Sequence, residues 1–255
     1  VTIQAPIGAG SITVNGTITG TGDASVTLNG SAATTLNAGI TTADQNITIS
    51  DNVVIGEGLS VTLDTGAGGA GNILVSGTTN GTALGVAESL TALAGTGNVT
   101  FTGAVGNATD ALELEALTIT SAATTLFSGA VTLSNALTQT AGSVATTFTG
   151  AVNVGSAALT GTAFNVNNSF ASGGTTAFTN SGTLTKSAGT NITSTGAFST
   201  TGNVNLAANI TTTNTDLTIG GNLVVAEAAT PTLSTGAGAG NILVSGTTNG
   251  TALGV

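Results

Sequence analysis

The amino-acid sequence predicts an all-β protein, specifically a right-handed parallel β-helix (β-solenoid) with roughly 20–26 residues in each rung. Three observations support this prediction: short segments in which apolar and polar residues alternate, a pentapeptide that recurs about once per rung, and a composition rich in glycine and small side chains. The right-handed sense is expected because connections between parallel strands are almost always right-handed. The prediction treats residues 1–255 as one continuous solenoid.

Alternation with a period of two residues marks strands that bury one side. It occurs in Ser11–Thr19 (SITVNGTIT), Asn46–Ser50 (NITIS) and Leu117–Thr120 (LTIT). Asn-Gly pairs, which favour tight turns, occur at 15–16, 29–30, 80–81 and 249–250. One segment, Ala108–Leu117 (ATDALELEAL), contains good helix formers, but its alternation of Leu with Glu and its neighbours favour a strand.

A pentapeptide, FTGAV or FSGAV, begins at Phe101, Phe127 and Phe148. It therefore recurs at intervals of roughly 20–26 residues, which fit a solenoid rung better than a propeller blade of about 40 residues. About 21 residues per rung would give roughly twelve rungs and a rod about 60 Å long. We expect inward ladders of the first and last residues of the pentapeptide: Phe101, Phe127, Phe148, Val105, Val131 and Val152. Phe164, Phe178 and Phe198 are expected to continue the aromatic series in weaker form.

The sequence also contains a longer repeat that spans several rungs. The sixteen residues of Gly71–Val86 recur unchanged as Gly240–Val255, and Ile40–Gly68 matches Ile210–Gly238 at 14 of 29 positions. Residues 40–86 therefore match 210–255, and the chain holds about one and a half copies of a unit of about 170 residues. We expect a tandem array in a longer natural protein. An array of β-sandwich domains would instead need half-units of about 85 residues, which the sequence does not show clearly.

The pentapeptides, the Thr/Gly/Asn/Ala bias, the lack of Cys and the long tandem unit together resemble large bacterial surface adhesins, the filamentous-haemagglutinin-like and autotransporter-like β-strand-repeat proteins. The resemblance covers nearly the whole chain. It implies a right-handed parallel β-helix that leaves the cell unfolded and works outside it in adhesion, aggregation or biofilm matrix. No functional residue is carried over, because this group has no site motif to match.

Composition excludes several chemistries. The chain has no His, Cys or Tyr, which rules out a Ser-His-Asp triad, a cysteine nucleophile and metal sites built from imidazole or thiolate. Its single cation, Lys186, stands against 11 acids, so binding to nucleic acid or to anionic lipid lacks the basic cluster that it needs. No stretch is long and apolar enough to span a membrane. We therefore expect a protein that is not an enzyme.

Paired carboxylates are the one catalytic alternative, since polysaccharide-cleaving enzymes use two of them. Glu113 and Glu115, with Asp110 nearby, would lie about 7 Å apart on one strand face. A solvated strand face explains these acids better, because no aromatic or Arg-rich groove accompanies them.

Calcium is the one cofactor left open, because it takes oxygen ligands. Four acids occur within one stretch: Asp44, Asp51, Glu57 and Asp64. In the second copy only Glu227 keeps the acid, which argues against a site that defines the unit. Residues 66–71 (GAGGAG) match a phosphate-loop pattern, but a predicted strand follows them, so a tight turn is the better interpretation.

These observations predict an extracellular, cell-surface structural or adhesive fibre segment that associates with itself end to end or laterally. The alternative is a binding module for surface glycans or ice. Repeated Thr-x-Thr pairs would then form a regular outer face, for example at Thr118 and Thr120. Their irregular spacing favours the plainer interpretation, in which Thr is an outward polar residue with strand propensity.

Overall fold

The computed structural model describes residues 1–4, 10–82, 87–107 and 113–251. Within these ranges every regular element is a β-strand, and the strands pair in parallel between successive turns. The chain winds through about 11 turns. The predicted all-β parallel solenoid is therefore confirmed, while its handedness stays a prediction.

The strands stack into three faces, which the chain visits in the order face 1, face 2, face 3. Face 1 consists of Thr2–Gln4, Val26–Asn29, Ile47–Ile49, Ile73–Val75, Val99–Phe101, Thr124–Phe127, Ala145–Phe148, Ala163–Val166, Thr183–Lys186, Asn203–Leu206, Leu223–Val225 and Thr248–Gly250. Face 2 consists of Ile12–Val14, Thr34–Leu36, Val53–Ile55, Thr79–Asn80, the first parts of Val131–Gln139 and Val152–Gly161, Phe170–Ser172, Ile192–Ser194, Ile210–Thr212 and Leu233–Ser234. Face 3 consists of Ile18–Gly20, Ile40–Thr42, Ser60–Asp64, Ser89–Leu93, Ala116–Ser121, the second parts of Val131–Gln139 and Val152–Gly161, Thr176–Asn180, Phe198–Thr200, Leu217–Ile219 and Ile242–Val244.

Turn length varies along the rod. Equivalent positions of neighbouring turns are 26 residues apart at Asn46 and Asn72 but only 18 apart at Thr147 and Asn165. The expected range of roughly 20–26 residues therefore holds for most turns, and the shortest ones fall below it because their corners are tighter. About 11 turns replace the expected twelve, which gives a length of about 50 Å at the spacing of paired strands.

The core is a narrow column filled by alternate residues of every strand. Typical strands such as Ile47–Ile49 and Val53–Ile55 bury their first and last residues and direct the middle one outward. Burial of the apolar half of each strand is the main driving force for closing the three faces around one axis. Face 2 shows the resulting ladder: Ile12, Thr34, Val53, Thr79, Val105, Val131, Val152, Phe170, Ile192, Ile210 and Leu233.

The structure places the pentapeptide residues in two such ladders. The rings of Phe101 and Phe127 lie 5.5 Å apart at an interplanar angle of 2°, and those of Phe127 and Phe148 lie 5.1 Å apart at 1°. Val105 bridges to Val131, which pairs with Val152. All six side chains are buried.

The weaker continuation of the aromatic series was wrong. Phe148 pairs with Val166, whereas Phe164 lies two residues earlier and pairs with Thr146. Phe178 and Phe198 belong to face 3, not to face 1. Phe164 follows Phe148 by 16 residues and Phe178 follows Phe164 by 14, whereas the turns at these two positions take 18 and 20 residues. The rings therefore do not fall in register.

The described part of the ambiguous segment Ala108–Leu117 is extended. Leu114 forms an isolated parallel bridge with Leu133, and the strand Ala116–Ser121 begins two residues later. Residues 108–112, including Asp110, lie outside the described residues.

Candidate interaction surface

The outward positions of face 3 form a column of small side chains over eight successive turns, which we call the face 3 column. Its members pair in register: Thr62, Thr91, Thr118, Thr138, Ala158, Ala177, Ser199 and Thr218. The first four members carry hydroxyls in unbroken succession. Beside them Ser89 Oγ donates to Ser60 Oγ at 2.8 Å. No member of the column is charged.

A shallow groove of about 360 Å³ runs beside this column, at the corner where the chain leaves face 3. Its lining residues are small and uncharged: Ala141, Gly142, Thr160, Gly161, Thr162, Thr179, Asn180, Ser181 and Thr201. Thr160 and Thr179 are register partners, so the groove follows the stacking direction across several turns.

Two buried carboxamides, those of Gln139 and Asn180, form hydrogen bonds at this corner. Gln139 donates from Nε2 to the Thr160 carbonyl at 3.1 Å and accepts the hydroxyl of Thr146 at 2.7 Å. Asn180 accepts the Gly202 amide on Oδ1 at 3.0 Å and donates to the Gly182 carbonyl at 2.9 Å. Because their hydrogen bonds tie neighbouring turns together, the groove is preformed. It offers hydroxyls and backbone groups to a neutral, hydrogen-bonding ligand.

Asparagine ladders satisfy the backbone at the same corner, where face 3 leads into face 1, in turns nearer the start of the chain. Asn46 Oδ1 accepts the Asn72 amide at 2.8 Å, Asn72 Oδ1 accepts the Asn98 amide at 2.9 Å, and Asn98 Oδ1 accepts the Thr124 amide at 3.2 Å. Each side chain thus caps the amide of the turn above it, as an exposed corner requires. The hydrogen bonds of these Asn side chains therefore stabilise the stacking of the turns.

Both carboxylates of the predicted pair lie in the part of the chain that the structure describes. Glu113 and Glu115 are half-buried on either side of the buried Leu114. Glu115 Oε1 accepts a hydrogen bond from Asn135 Nδ2 at 3.4 Å. Neither carboxyl lies in the groove described above. The arrangement supports the interpretation of a solvated strand face.

Two of the acids considered for calcium accept hydrogen bonds from the chain itself. Asp51 Oδ2 accepts the Thr34 hydroxyl at 2.7 Å, and Asp64 Oδ1 accepts the Gly66 amide at 2.7 Å. Asp44 has a left-handed backbone with φ of 61°. Over the ranges that the structure describes, no group of three acids is placed to hold a metal ion.

Residues 66–71, which match a phosphate-loop pattern in the sequence, form the turn between the strands Ser60–Asp64 and Ile73–Val75, with Gly66 at φ of 100°.

Sequence reasoning missed the burial of Lys186, which is only 1% exposed. Its Nζ donates to the Ser187 carbonyl at 2.9 Å, the Thr190 hydroxyl at 3.3 Å and the Val166 carbonyl at 3.4 Å. Burial lowers the pKa of this amine, because desolvation penalises the charged form. The signal was available: Lys186 follows the inward Leu184 by two residues, and alternation places it on the same side.

Glu88 is a second buried ionisable residue, with no exposed surface. Its Oε1 accepts the hydroxyl of Thr82 at 2.8 Å and the Gly58 amide at 3.4 Å. Here too the alternation of inward and outward residues predicts that the side chain points inward, since Glu88 precedes the inward Leu90 by two residues. Both residues lie in the core column and not on the candidate surface.

The chain matches no protein-family model, no curated protein and no solved structure. Its fold class therefore rests on the parallel pairing itself. In the described part of the chain, no helix is long and apolar enough to cross a membrane.

Proposed function

We propose that this chain is a segment of an extracellular structural or adhesive fibre, part of a large repetitive bacterial surface protein. The observation that carries the proposal is the continuous register of face 1, in which twelve strands pair one above another from Thr2–Gln4 to Thr248–Gly250. Backbone hydrogen bonds of this kind run along the rod axis, and three faces close around one core. Such a section resists both stretching and bending, which suits a stalk, a filament or a matrix component.

The surface supports the same proposal. The face 3 column contains no charged side chain across eight turns, so two rods can approach there with little repulsion. A mechanical function also needs no catalytic group, and the chain lacks His, Cys and Tyr, the residues that most often serve as acid, base or nucleophile alongside carboxylates and Lys.

We also propose that rods associate end to end, because the parallel strand edge of one turn can pair with the edge of another turn of the same type. The partner on this proposal is a second copy of the chain or a further turn of the same type.

Immunogold electron microscopy of the producing cells tests this proposal. Antibodies against the purified chain are expected to label fibres or matrix outside the cell, and deletion of the segment is expected to reduce cell aggregation or attachment. Label confined to the cell interior, or unchanged aggregation in cells that have lost the segment, would contradict the proposal.

The register of Thr62, Thr91, Thr118 and Thr138 favours a second candidate, a binding module for neutral glycans or ice. Binding through the column should be lost in Thr91→Glu and Thr118→Glu variants, because each places a charge in the neutral surface. Thr48→Glu, on face 1, is the matched control. A glycan microarray and an ice-shaping assay provide the measurement, and absence of binding in both assays removes this candidate.

A further inference from the structure

The two copies of the long repeat occupy different faces of the rod. Ile47–Ile49 lies on face 1, whereas its sequence counterpart Leu217–Ile219 lies on face 3. The strand Ile73–Val75 also belongs to face 1, and the identical strand Ile242–Val244 belongs to face 3. The same sequence therefore points in two directions within one molecule.

Local structure is the same in both copies, so the change of face is not a change of conformation. Asp44 and its counterpart Asn214 share a left-handed backbone, with φ of 61° and 57°. Thr65 Oγ1 donates to the Gly71 carbonyl at 2.8 Å, and Thr235 Oγ1 donates to the Gly240 carbonyl at 3.0 Å. One corner structure is thus built at two different corners of the triangular section.

Register gives the size of the shift. Seven steps on face 1 lead from Ile47 to Val204, through Ile73, Val99, Thr125, Thr146, Phe164 and Leu184. The chain then passes Ile210–Thr212 on face 2 before it reaches Leu217 on face 3. The two copies are therefore separated by seven turns and two further faces, which is 7⅔ turns.

We propose that the unit is phased by this fraction of a turn so that its surface is displayed in a new direction in each copy. Two copies lie about 37 Å apart along the axis at the spacing of paired strands. With this phase three consecutive copies would occupy the three faces in turn, and the fourth would return to the starting face. The proposal does not depend on whether the rod is a stalk, a matrix component or a binding module.

The repeated corner shows what is displayed. Asn72 Nδ2 donates to Asn46 Oδ1 at 3.2 Å, and at the matching corner Asn241 Nδ2 donates to Asp216 Oδ1 at 3.1 Å. This exposed polar edge is attached to face 1 in the first copy and to face 3 in the second. A partner that recognises it must approach the rod from two directions. A single flat partner cannot contact both copies, so the repeated sequence suits cross-linking in several directions and not a one-sided stripe.

Cysteine pairs test the phase, because the chain has no Cys of its own. Outward residues that pair in neighbouring turns lie about 4.8 Å apart, which a disulfide can span. Thr48→Cys with Leu74→Cys should cross-link on face 1, and Ser199→Cys with Thr218→Cys should cross-link on face 3. Asn205→Cys with Val224→Cys is the matched face 1 control in the second copy.

The deciding pair is Asn205→Cys with Thr218→Cys, which joins two faces and should not cross-link. A unit of whole turns would place Thr218 on face 1, as Thr48 is, and would make this pair react while Ser199→Cys with Thr218→Cys stayed reduced. That result would overturn the proposal. Thr218→Cys with Leu243→Cys provides a second face 3 pair if one variant folds poorly, and circular dichroism verifies folding before oxidation.

Discussion

Two parts of the aromatic core differ in how they fill the same kind of space. In the stacked turns, around Phe101, Phe127 and Phe148, the rings come from one face and lie within 2° of parallel. In the turns that follow, which we call the interlocked turns, the rings come from all three faces: Phe164, Phe170, Phe178 and Phe198. Their planes meet at 53–64°. Where Phe recurs at the same position of successive turns, the rings stack as a ladder. Where it does not, rings from different faces contact one another at an angle.

Turn length accompanies this difference. On face 1 the stacked turns are longer, with offsets of 26 and 21 between paired positions, whereas the turns that follow on this face have offsets of 18 to 20. The stacked turns also share a glycine column, since a Cβ on Gly129 would lie 2.5 Å from the Gly103 carbonyl carbon, and one on Gly150 would lie 2.2 Å from the Gly129 carbonyl oxygen. The glycine of the pentapeptide thus allows the corners to stack, which keeps the aromatic rings in register.

The largest expected effect is the loss of the central ring of the stack. Phe127→Ala should lower the free energy of unfolding by about 3–5 kcal/mol, because a buried ring covered on both sides leaves a cavity. Phe198→Ala, in the interlocked turns, is the comparison, and its ring contacts Phe178 at a longer centroid distance of 6.0 Å. Chemical denaturation followed by circular dichroism measures both. A smaller loss for Phe127→Ala than for Phe198→Ala would contradict the importance assigned to the stack.

The next effect concerns the glycine column. Gly129→Ala should cost about 1–3 kcal/mol, because its Cβ would meet backbone atoms that cannot move away. Gly16→Ala is the matched control, since nothing lies within 4 Å of a Cβ at that position. We expect the control to unfold at the same denaturant concentration as the parent or slightly above it. Equal destabilisation by the two substitutions would show that stacking of the corners is not the cause.

A smaller effect is the coupling energy between rings of the Phe ladder, which should be larger for adjacent rings than for rings separated by a third. Leu substitutions at Phe127 and Phe148 should show a coupling energy of about 0.5–1.5 kcal/mol, because the rings touch. The pair Phe101 and Phe148 has one ring between its members and should be additive within about 0.5 kcal/mol. Double-mutant cycles measure both pairs. Coupling as large in the separated pair would mean that the stacked turns act as one block.

The smallest effect at neutral pH comes from Lys186, at the far end of the interlocked turns. Because its pKa is lowered in the folded chain, the unfolded chain binds the proton more strongly between the lowered value and the ordinary 10.5. The free energy of unfolding should therefore rise with pH across that window. No other side chain titrates there, since Tyr, Cys and Arg are absent. Lys186→Met should remove the rise in calorimetric scans, and a variant that keeps it would exclude Lys186 as the cause.

The sequence predicted the stacked turns well, because Phe101, Phe127 and Phe148 open nearly identical pentapeptides and identical neighbours stack in register. It failed for Phe164, Phe178 and Phe198, because spacing along the chain does not specify a face when corner lengths change. For the same reason the sequence did not predict the phase of the long repeat. Ile73 and Ile242 have identical neighbours in sequence, but the face on which each lies depends on the lengths of all the corners between them. Inward Lys186 and Glu88 were visible in the alternation, against the general rule that charges lie outside.

We propose that the protein forms an extracellular rod of stacked turns, and cryo-electron microscopy of the protein in its native extracellular setting is the decisive measurement. We expect long thin fibres with an axial spacing of about 4.8 Å. Discrete globular beads at regular intervals would contradict it and would favour an array of separate sandwich domains.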